Sequence, residues 1–177
     1  MSDGSSSSEV SRQAKKAAQE MVKRFTKIMV HGRKMLAVTA TGAVRECVCR
    51  LDRNLEVLTM EVDGRERALP LETVNAVHSA GVDLAAARRL SSNPHVDDMC
   101  AVVLLEADQC LSFRFKDPEV RDDFVQCMRL FTGSRRASTY GFTGALMAQV
   151  QDAFLKEVEE RLRSRMNDTQ YSDCEEC

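Results

Sequence analysis

Met99-Cys-Ala-Val-Val-Leu-Leu105 is an unbroken apolar run of strand length, and Glu106-Ala-Asp-Gln109 and Cys110-Leu-Ser-Phe-Arg-Phe-Lys116 follow it directly. The middle segment is typical of a turn. In the last segment apolar side chains alternate with polar ones, which indicates a strand that is buried on one face only. The pattern therefore predicts a hairpin of two antiparallel strands.

A helix is predicted immediately after this hairpin. Asp117-Pro118-Glu119 is typical of a helix start. The Asp side chain can accept a hydrogen bond from a free N–H of the first turn, Pro fits the first helical position, and Glu suits the positive end of the helix dipole. Gly133 is placed to end the helix. Apolar residues recur between these points at helical spacing, at Val120, Phe124, Cys127, Met128 and Phe131. A hairpin closed by one helix predicts a layered sheet-plus-helix architecture.

Composition limits the class of protein. The chain has 177 residues, which is enough for one domain with extensions. Its 25 Lys+Arg and 27 Asp+Glu give a net charge of -2, so total charge favours neither nucleic acid nor an anionic membrane as a partner. Seven cysteines without a signal peptide predict reduced thiols in the cytoplasm rather than a secreted protein. No apolar run approaches the roughly 20 residues of a transmembrane helix.

The region before the hairpin is predicted to be mainly β. Residues 1–10 are serine-rich and predicted to be a disordered leader. A helix is predicted from Ser11 to about Val30, and its basic face either lies on a membrane or, as we favour, is solvated while its apolar stripe docks on the domain. Five strands and a short helix follow, at Arg33–Thr39, Val44–Leu51, Leu55–Val62, Arg67–Leu71, Thr73–His78 and Leu84–Leu90. Residues 11–133 are therefore predicted to form one domain.

The C-terminal part is predicted to be a linker, a helix and a tail. The linker, residues 134–142, contains Arg135-Arg136-Ala137-Ser138, in which Ser138 is either a phosphorylation site for basophilic kinases or part of an ordinary solvated segment. Residues 143–166 predict an amphipathic helix, and residues 167–177 a flexible tail. The helix has an apolar stripe that packs on the domain, on a partner helix or on a second copy of the chain: Leu146, Val150, Phe154, Val158 and Leu162.

Seven short strands followed by one amphipathic helix resemble a pleckstrin-homology (PH) domain, a two-sheet orthogonal sandwich with one open end plugged by the helix. Three segments resemble PH-like domains of protists, and most of all the inner-membrane-complex sub-compartment proteins (ISPs) of apicomplexan parasites: Gly32-Arg-Lys-Met-Leu36, Val44-Arg-Glu-Cys-Val-Cys-Arg-Leu-Asp52 and Leu69-Pro-Leu-Glu-Thr-Val-Asn-Ala-Val77. The resemblance covers about residues 25–131. It implies a mainly β PH-like fold with extra N- and C-terminal helices.

Two departures from these families lead to expectations. PH helices usually carry a Trp, and since this chain has none, Phe124 is expected to fill that volume. ISPs are held to membrane by an acylated Gly and Cys near the N-terminus. This chain has Ser2 in place of that Gly and no Cys in its first 46 residues, so we expect either that the anchor has been replaced in this sequence or that the protein reaches the membrane by another route.

The resemblance also raises the question of whether this chain has a phosphoinositide pocket. PH domains that bind inositol phosphates cluster Lys and Arg around the first strand-to-strand loop, because several phosphates need several charged donors. Here that loop, Thr39-Ala-Thr-Gly-Ala43, is short and uncharged, and the nearby bases are Lys34, Arg45 and Arg50. Cys47 stands where a second Arg is usual. We therefore expect a degenerate pocket, with these three bases as candidates for weak contact with an acidic lipid.

No motif for catalysis is present. The chain has no phosphate-binding glycine loop and no Gly-x-Ser-x-Gly, and its three His are scattered. Cys47 and Cys49 share a strand face without a second pair, which favours core packing over zinc. We expect no metal and no cofactor.

The favoured hypothesis is a non-catalytic scaffold or adaptor that binds protein partners at a membrane-associated cytoskeletal compartment, as a peripheral cytoplasmic protein. The alternative is a PH domain that binds acidic lipid, either a phosphoinositide or phosphatidic acid. A third hypothesis is a homo-oligomer formed through the C-terminal helix.

Overall fold

A computed structural model describes residues 5–139 of the chain. The predicted helix at residues 143–166, with its apolar stripe, and the predicted tail lie outside the described residues. The helices are α1 (Ser5–His31), α2 (Leu84–Ser91) and α3 (Pro118–Thr139). The strands are β1 (Arg33–Val38), β2 (Val44–Leu51), β3 (Val57–Val62), β4 (Arg65–Pro70), β5 (Val74–Ser79), β6 (Cys100–Leu105) and β7 (Cys110–Arg114).

The strands form one antiparallel sheet in the order β4-β3-β2-β1-β7-β6-β5, and the sheet does not close on itself. The strands β1 to β4 and β5 to β7 correspond to the two expected sheets. Only two residue pairs, Leu36 with Arg114 and Ala37 with Phe113, join them. The prediction of a mainly β PH-like fold with a C-terminal helix is confirmed, with the two sheets linked by this short ladder.

Alternation along β2 shows how the strand pattern builds the core. Cys47, Cys49 and Leu51 point inward and are almost fully buried. The sulfur atoms of Cys47 and Cys49 lie 3.8 Å apart within the main apolar cluster. The expected core packing of this pair is confirmed. The hydrogen bond to Cys47, together with burial, raises the pKa of the Cys49 thiol, which therefore stays neutral.

α3 closes the core as the helix-start residues predict. Asp117 Oδ1 accepts a hydrogen bond from the backbone N–H of Glu119 at 2.7 Å, and the helix begins at Pro118. Phe124 is completely buried among three other rings. Its ring centroid lies 5.3 Å from that of Phe115, 5.7 Å from that of Phe113 and 6.1 Å from that of Phe25. Phe124 therefore occupies the centre of the core, as expected for the residue that replaces a Trp.

α1 docks on the domain through its C-terminal half. Phe25 and Met29 are buried in the main apolar cluster, and Phe25 contacts Phe131 of α3 with ring centroids 6.1 Å apart. Arg24 of α1 approaches Asp123 of α3 at 3.8 Å. The docked interpretation of this helix agrees with these contacts. None of the described helices is both long and apolar enough to cross a membrane.

Two helix boundaries differ from the sequence-based expectation. α1 begins at Ser5 rather than Ser11, so residues 5–10, which were expected in a disordered leader, are helical. Ser is only a moderately poor helix former and is favoured near helix N-termini. α3 continues through Gly133 to Thr139, so residues 134–139, which were expected in a linker, are helical. Gly133 does not adopt the positive φ of a helix-ending glycine, and a glycine inside a helix costs only about 1 kcal/mol.

The connection between β5 and β6 is a small layer of its own. It contains α2, and its buried Ala87 and Val96 pack on Val102 of β6 in a second apolar cluster. The buried Arg121 of α3 links this layer to the rest of the domain, because its guanidinium donates to the backbone carbonyl of Asp98 in the connection. The same guanidinium also donates to the carboxylate of Asp122, its neighbour in α3. The connection is therefore held in place beside the first strand-to-strand loop.

Candidate ligand-binding surface at the open end of the sheet

The three bases predicted as lipid contacts do not share one face of the sheet. Lys34 pairs with Val48 across β1 and β2, so Lys34, Val48 and Arg50 lie on the outer face. Arg45 has the strand parity of the buried Cys47, and it lies on the inner face where β2 begins. The structure therefore brings Lys34 and Arg50 to one side of the sheet and places Arg45 on the other.

Two of these bases are already paired with carboxylates. Lys34 Nζ lies 3.0 Å from Glu46 Oε1, and Arg45 Nη1 lies 3.2 Å from Asp63 Oδ2. All four side chains are well exposed, so each pair adds little to stability, but each carboxylate offsets the positive charge that an anionic ligand would meet. Arg50, whose guanidinium lies over Gly32, has no ion pair among the residues that the structure describes.

The loop between β1 and β2 is covered by the β5–β6 connection. Asn93 Nδ2 donates to the backbone carbonyl of Thr39 at 3.1 Å. The imidazole of His95 lies against Gly42, where an added Cβ would come within 2.8 Å of the ring. Gly42 also has a φ of +84°, which favours glycine. His95 and Asn93 therefore pack the β5–β6 connection against this loop.

Sequence reasoning missed two arginines on the inner face of β4. Arg65 pairs with Val62 and Arg67 pairs with Met60, so both arginines share the face of these inward residues. They line an open depression of about 550 Å³. The predicted strand began at Arg67, which left Arg65 in the turn. The sequence did contain a sign of the earlier strand start. Asp63-Gly64 is by itself a complete two-residue turn, so the next strand begins at Arg65 with the pattern Arg-x-Arg.

Titratable groups elsewhere on the domain have structural causes for their pKa shifts. Burial raises the pKa of Asp97, but the hydrogen bonds from Arg114 Nε at 2.6 Å and from Cys100 Sγ lower it by more, so the pKa lies below its ordinary value. Burial raises the pKa of Cys100 to about 11. Burial and the charge of Arg129 lower the pKa of His78. In residues 5–139, no three His, Cys, Asp or Glu side chains form a group that could hold a metal ion.

The remaining predicted sites are only partly described. Ser138 lies in the last turn of α3, so its phosphorylation stays a prediction, now for a helical rather than a linker position. The partner-helix stripe at residues 146–162 lies outside the described residues and stays a prediction.

Comparison with known proteins gives evidence on the fold. No protein-family model matches the chain, and no curated protein matches it. Among solved structures, inner membrane complex sub-compartment protein 1 (ISP1) of Toxoplasma gondii is similar, with a TM-score of 0.55 and 18% identity over 64% of this chain and 91% of that chain. ISP3 of the same organism has a TM-score of 0.51 and 16% identity, over 64% of this chain and 83% of that chain. At these identities the likeness concerns the fold, and the chain therefore has the PH-like fold of the ISPs.

Proposed function

We propose that this chain is a non-catalytic PH-like scaffold or adaptor that binds protein partners at a membrane-associated cytoskeletal compartment. The proposal rests on the arrangement of the basic residues around the first strand-to-strand loop, where PH domains usually bind phosphate. Lys34 and Arg45 lie on opposite faces, and each is paired with a carboxylate. The first loop is uncharged, and His95 packs against it at Gly42. A PH fold without a working phosphate pocket retains its sheet surface and helices for protein contacts.

The location is proposed from the fold neighbours. ISP1 and ISP3 are named as proteins of sub-compartments of the inner membrane complex. A chain that shares their fold suits a peripheral position at such a compartment. By the same proposal it acts there from the cytoplasmic side, without catalysis and without a cofactor.

Acidic-lipid binding remains the second candidate, because one observation favours it. Arg12, Lys16, Lys23 and Lys27 lie along the exposed face of α1, opposite the buried stripe. None of these four cations forms an ion pair with another described residue. Such a row attracts anionic surfaces in a salt-dependent way.

Co-sedimentation with liposomes separates the two candidates. The full chain is mixed with vesicles that contain or lack phosphoinositides or phosphatidic acid, at low and at physiological salt. The scaffold proposal predicts that the chain stays in solution at physiological salt with every vesicle. Pelleting at physiological salt that is lost in Lys34→Glu with Arg45→Glu would overturn it in favour of a lipid pocket. Pelleting lost instead in Lys16→Glu with Lys23→Glu would overturn it in favour of the α1 face.

A further inference from the structure

Among residues 5–139, the sheet has one accessible edge. Its order ends at β5 on one side and at β4 on the other. The β5 edge is covered by α3, from which Arg129 Nε donates to the backbone carbonyl of Val77 at 2.8 Å. On β4, residues 65–68 are all exposed. β4 is therefore the strand that an additional strand can reach.

The backbone of β4 offers hydrogen-bonding groups along this edge. Asp63 and Gly64 have φ values of 51° and 73°, which make a two-residue hairpin turn that Val62 and Arg65 flank as a hydrogen-bonded pair. In an antiparallel ladder such pairs alternate with pairs whose N–H and C=O groups point away from each other. The outward groups are therefore those of Glu66 and Ala68. Neither residue has another backbone partner within residues 5–139.

The side chains of this edge carry a definite charge pattern. Arg65 and Arg67 lie on the inner face beside the open depression, and Arg67 Nη2 donates to the neutral Gln109 Oε1 at 3.0 Å. Neither arginine forms an ion pair with a described residue. On the outer face, Glu66 stands directly opposite Glu61, and like charges in that position repel. The edge therefore presents unpaired charges in the order positive, negative, positive.

A second copy of the chain matches this edge poorly in the registers that are centred on its charged residues. In a symmetric antiparallel pair of β4 strands, facing residues must lie on the same side of the sheet, because side chains alternate with a period of two. In the registers centred on Arg65, Glu66 or Arg67, at least one arginine then faces an arginine, and in the register centred on Glu66 this glutamate also faces its own copy. Such pairs repel. The complementary strand is instead one with acidic residues on both sides of a basic one.

We propose that β4 binds an extended segment of a partner protein with the pattern acidic, basic, acidic, which adds to the sheet as an eighth strand. The acidic residues face Arg65 and Arg67, and the basic residue faces Glu66. The backbone groups of Glu66 and Ala68 complete the ladder. This inference rests on the proposed protein-binding function and names the class of partner.

The test uses a labelled peptide, Thr-Val-Glu-Lys-Glu-Val-Thr, titrated with the full chain and followed by fluorescence anisotropy. We expect saturable binding, and at least tenfold weaker binding of the charge-reversed peptide Thr-Val-Lys-Glu-Lys-Val-Thr. Arg65→Glu with Arg67→Glu should reverse this preference. Equal binding of both peptides, or no binding of either, overturns the inference.

A second variant separates strand addition from simple anion binding. Ala68→Pro removes one outward N–H and leaves every charge in place, and proline is tolerated at an edge position of this kind. With circular dichroism unchanged, the peptide should bind at least fivefold more weakly. If only the arginine variant weakens binding, β4 is an anion site and strand addition is wrong. Hydrogen exchange gives a check without mutation, since the peptide should protect the amides of Glu66 and Ala68 in the wild-type chain.

Failure of this inference differs from failure of the proposed function. If the peptide does not bind while proximity labelling in cells marks the same proteins with the wild-type chain and with the arginine variant, the β4 edge is wrong and the scaffold proposal stands. If the chain pellets with one lipid class at physiological salt, the scaffold proposal fails whatever the peptide does.

Discussion

Replacing Phe124 by alanine tests the central contact of the fold. The ring is completely buried and lies within 6.1 Å, centroid to centroid, of three other phenylalanines. Removing a buried phenylalanine costs roughly 3–5 kcal/mol, which includes the cavity that is left. Each aromatic pair contributes roughly 0.5–1.5 kcal/mol beyond the area it buries, so three lost pairs place this site at about 4 kcal/mol or above.

Urea unfolding followed by far-ultraviolet circular dichroism measures the loss, since the chain has no Trp for fluorescence. With a slope of roughly 2 kcal/mol/M, a loss of about 4 kcal/mol lowers the midpoint by about 2 M. Phe124→Leu should recover about half of the loss, because it refills much of the cavity. Val82→Ala is the control, since Val82 is 86% exposed and should change stability by less than about 0.5 kcal/mol. If Phe124→Ala lowers the free energy of unfolding by less than about 1 kcal/mol, the ring is not the central contact of the core.

Two further predictions concern α3 and β5. Asp117→Ala should destabilise the domain by about 1 kcal/mol, because the cap on the Glu119 N–H is lost, whereas Asp117→Asn should retain most of it; equal urea midpoints for the wild type and the alanine variant would show that the cap contributes nothing. Burial and the charge of Arg129 lower the pKa of His78 below 6.5 in the folded chain, so below that pH the unfolded chain binds more protons and stability falls as pH falls. His78→Gln should flatten this decrease in urea midpoints measured across about pH 5.5–7.5, and an unchanged slope would contradict the assignment.

The strands were predictable because their signal is local. Alternation of apolar and polar residues over five to eight positions reports which side chains face the core, and β2 begins and ends at the residues that this pattern predicts, Val44 and Leu51. The start of α3 was equally local, since Asp117 and Pro118 act within one helical turn. The end of α3 was not, because a glycine can end a helix or continue it according to its surroundings.

The candidate binding surface was less predictable, because it depends on what lies across the sheet. Lys34, Arg45 and Arg50 were correctly placed on β1 and β2 from the sequence, but it was not recognised that Arg45 lies on the opposite face from Lys34 and Arg50. The carboxylate that pairs with Arg45 comes from the β3–β4 turn, 18 residues along the chain. His95, which packs against Gly42, comes from a connection whose position no periodic pattern reports.

The sequence by itself determined the mainly β class and the helix that closes the core, because both depend on periodicity or on neighbouring residues. The aromatic residue at the centre was expected from the resemblance to PH domains. Only the tertiary structure decided the order of the strands, and with it which strands lie at the two edges of the sheet. In the sequence, Arg65, Glu66 and Arg67 are three charged residues with no sign of a special position. They become an exposed edge with unpaired charges only because β3 pairs with one side of β4 and nothing within residues 5–139 pairs with the other.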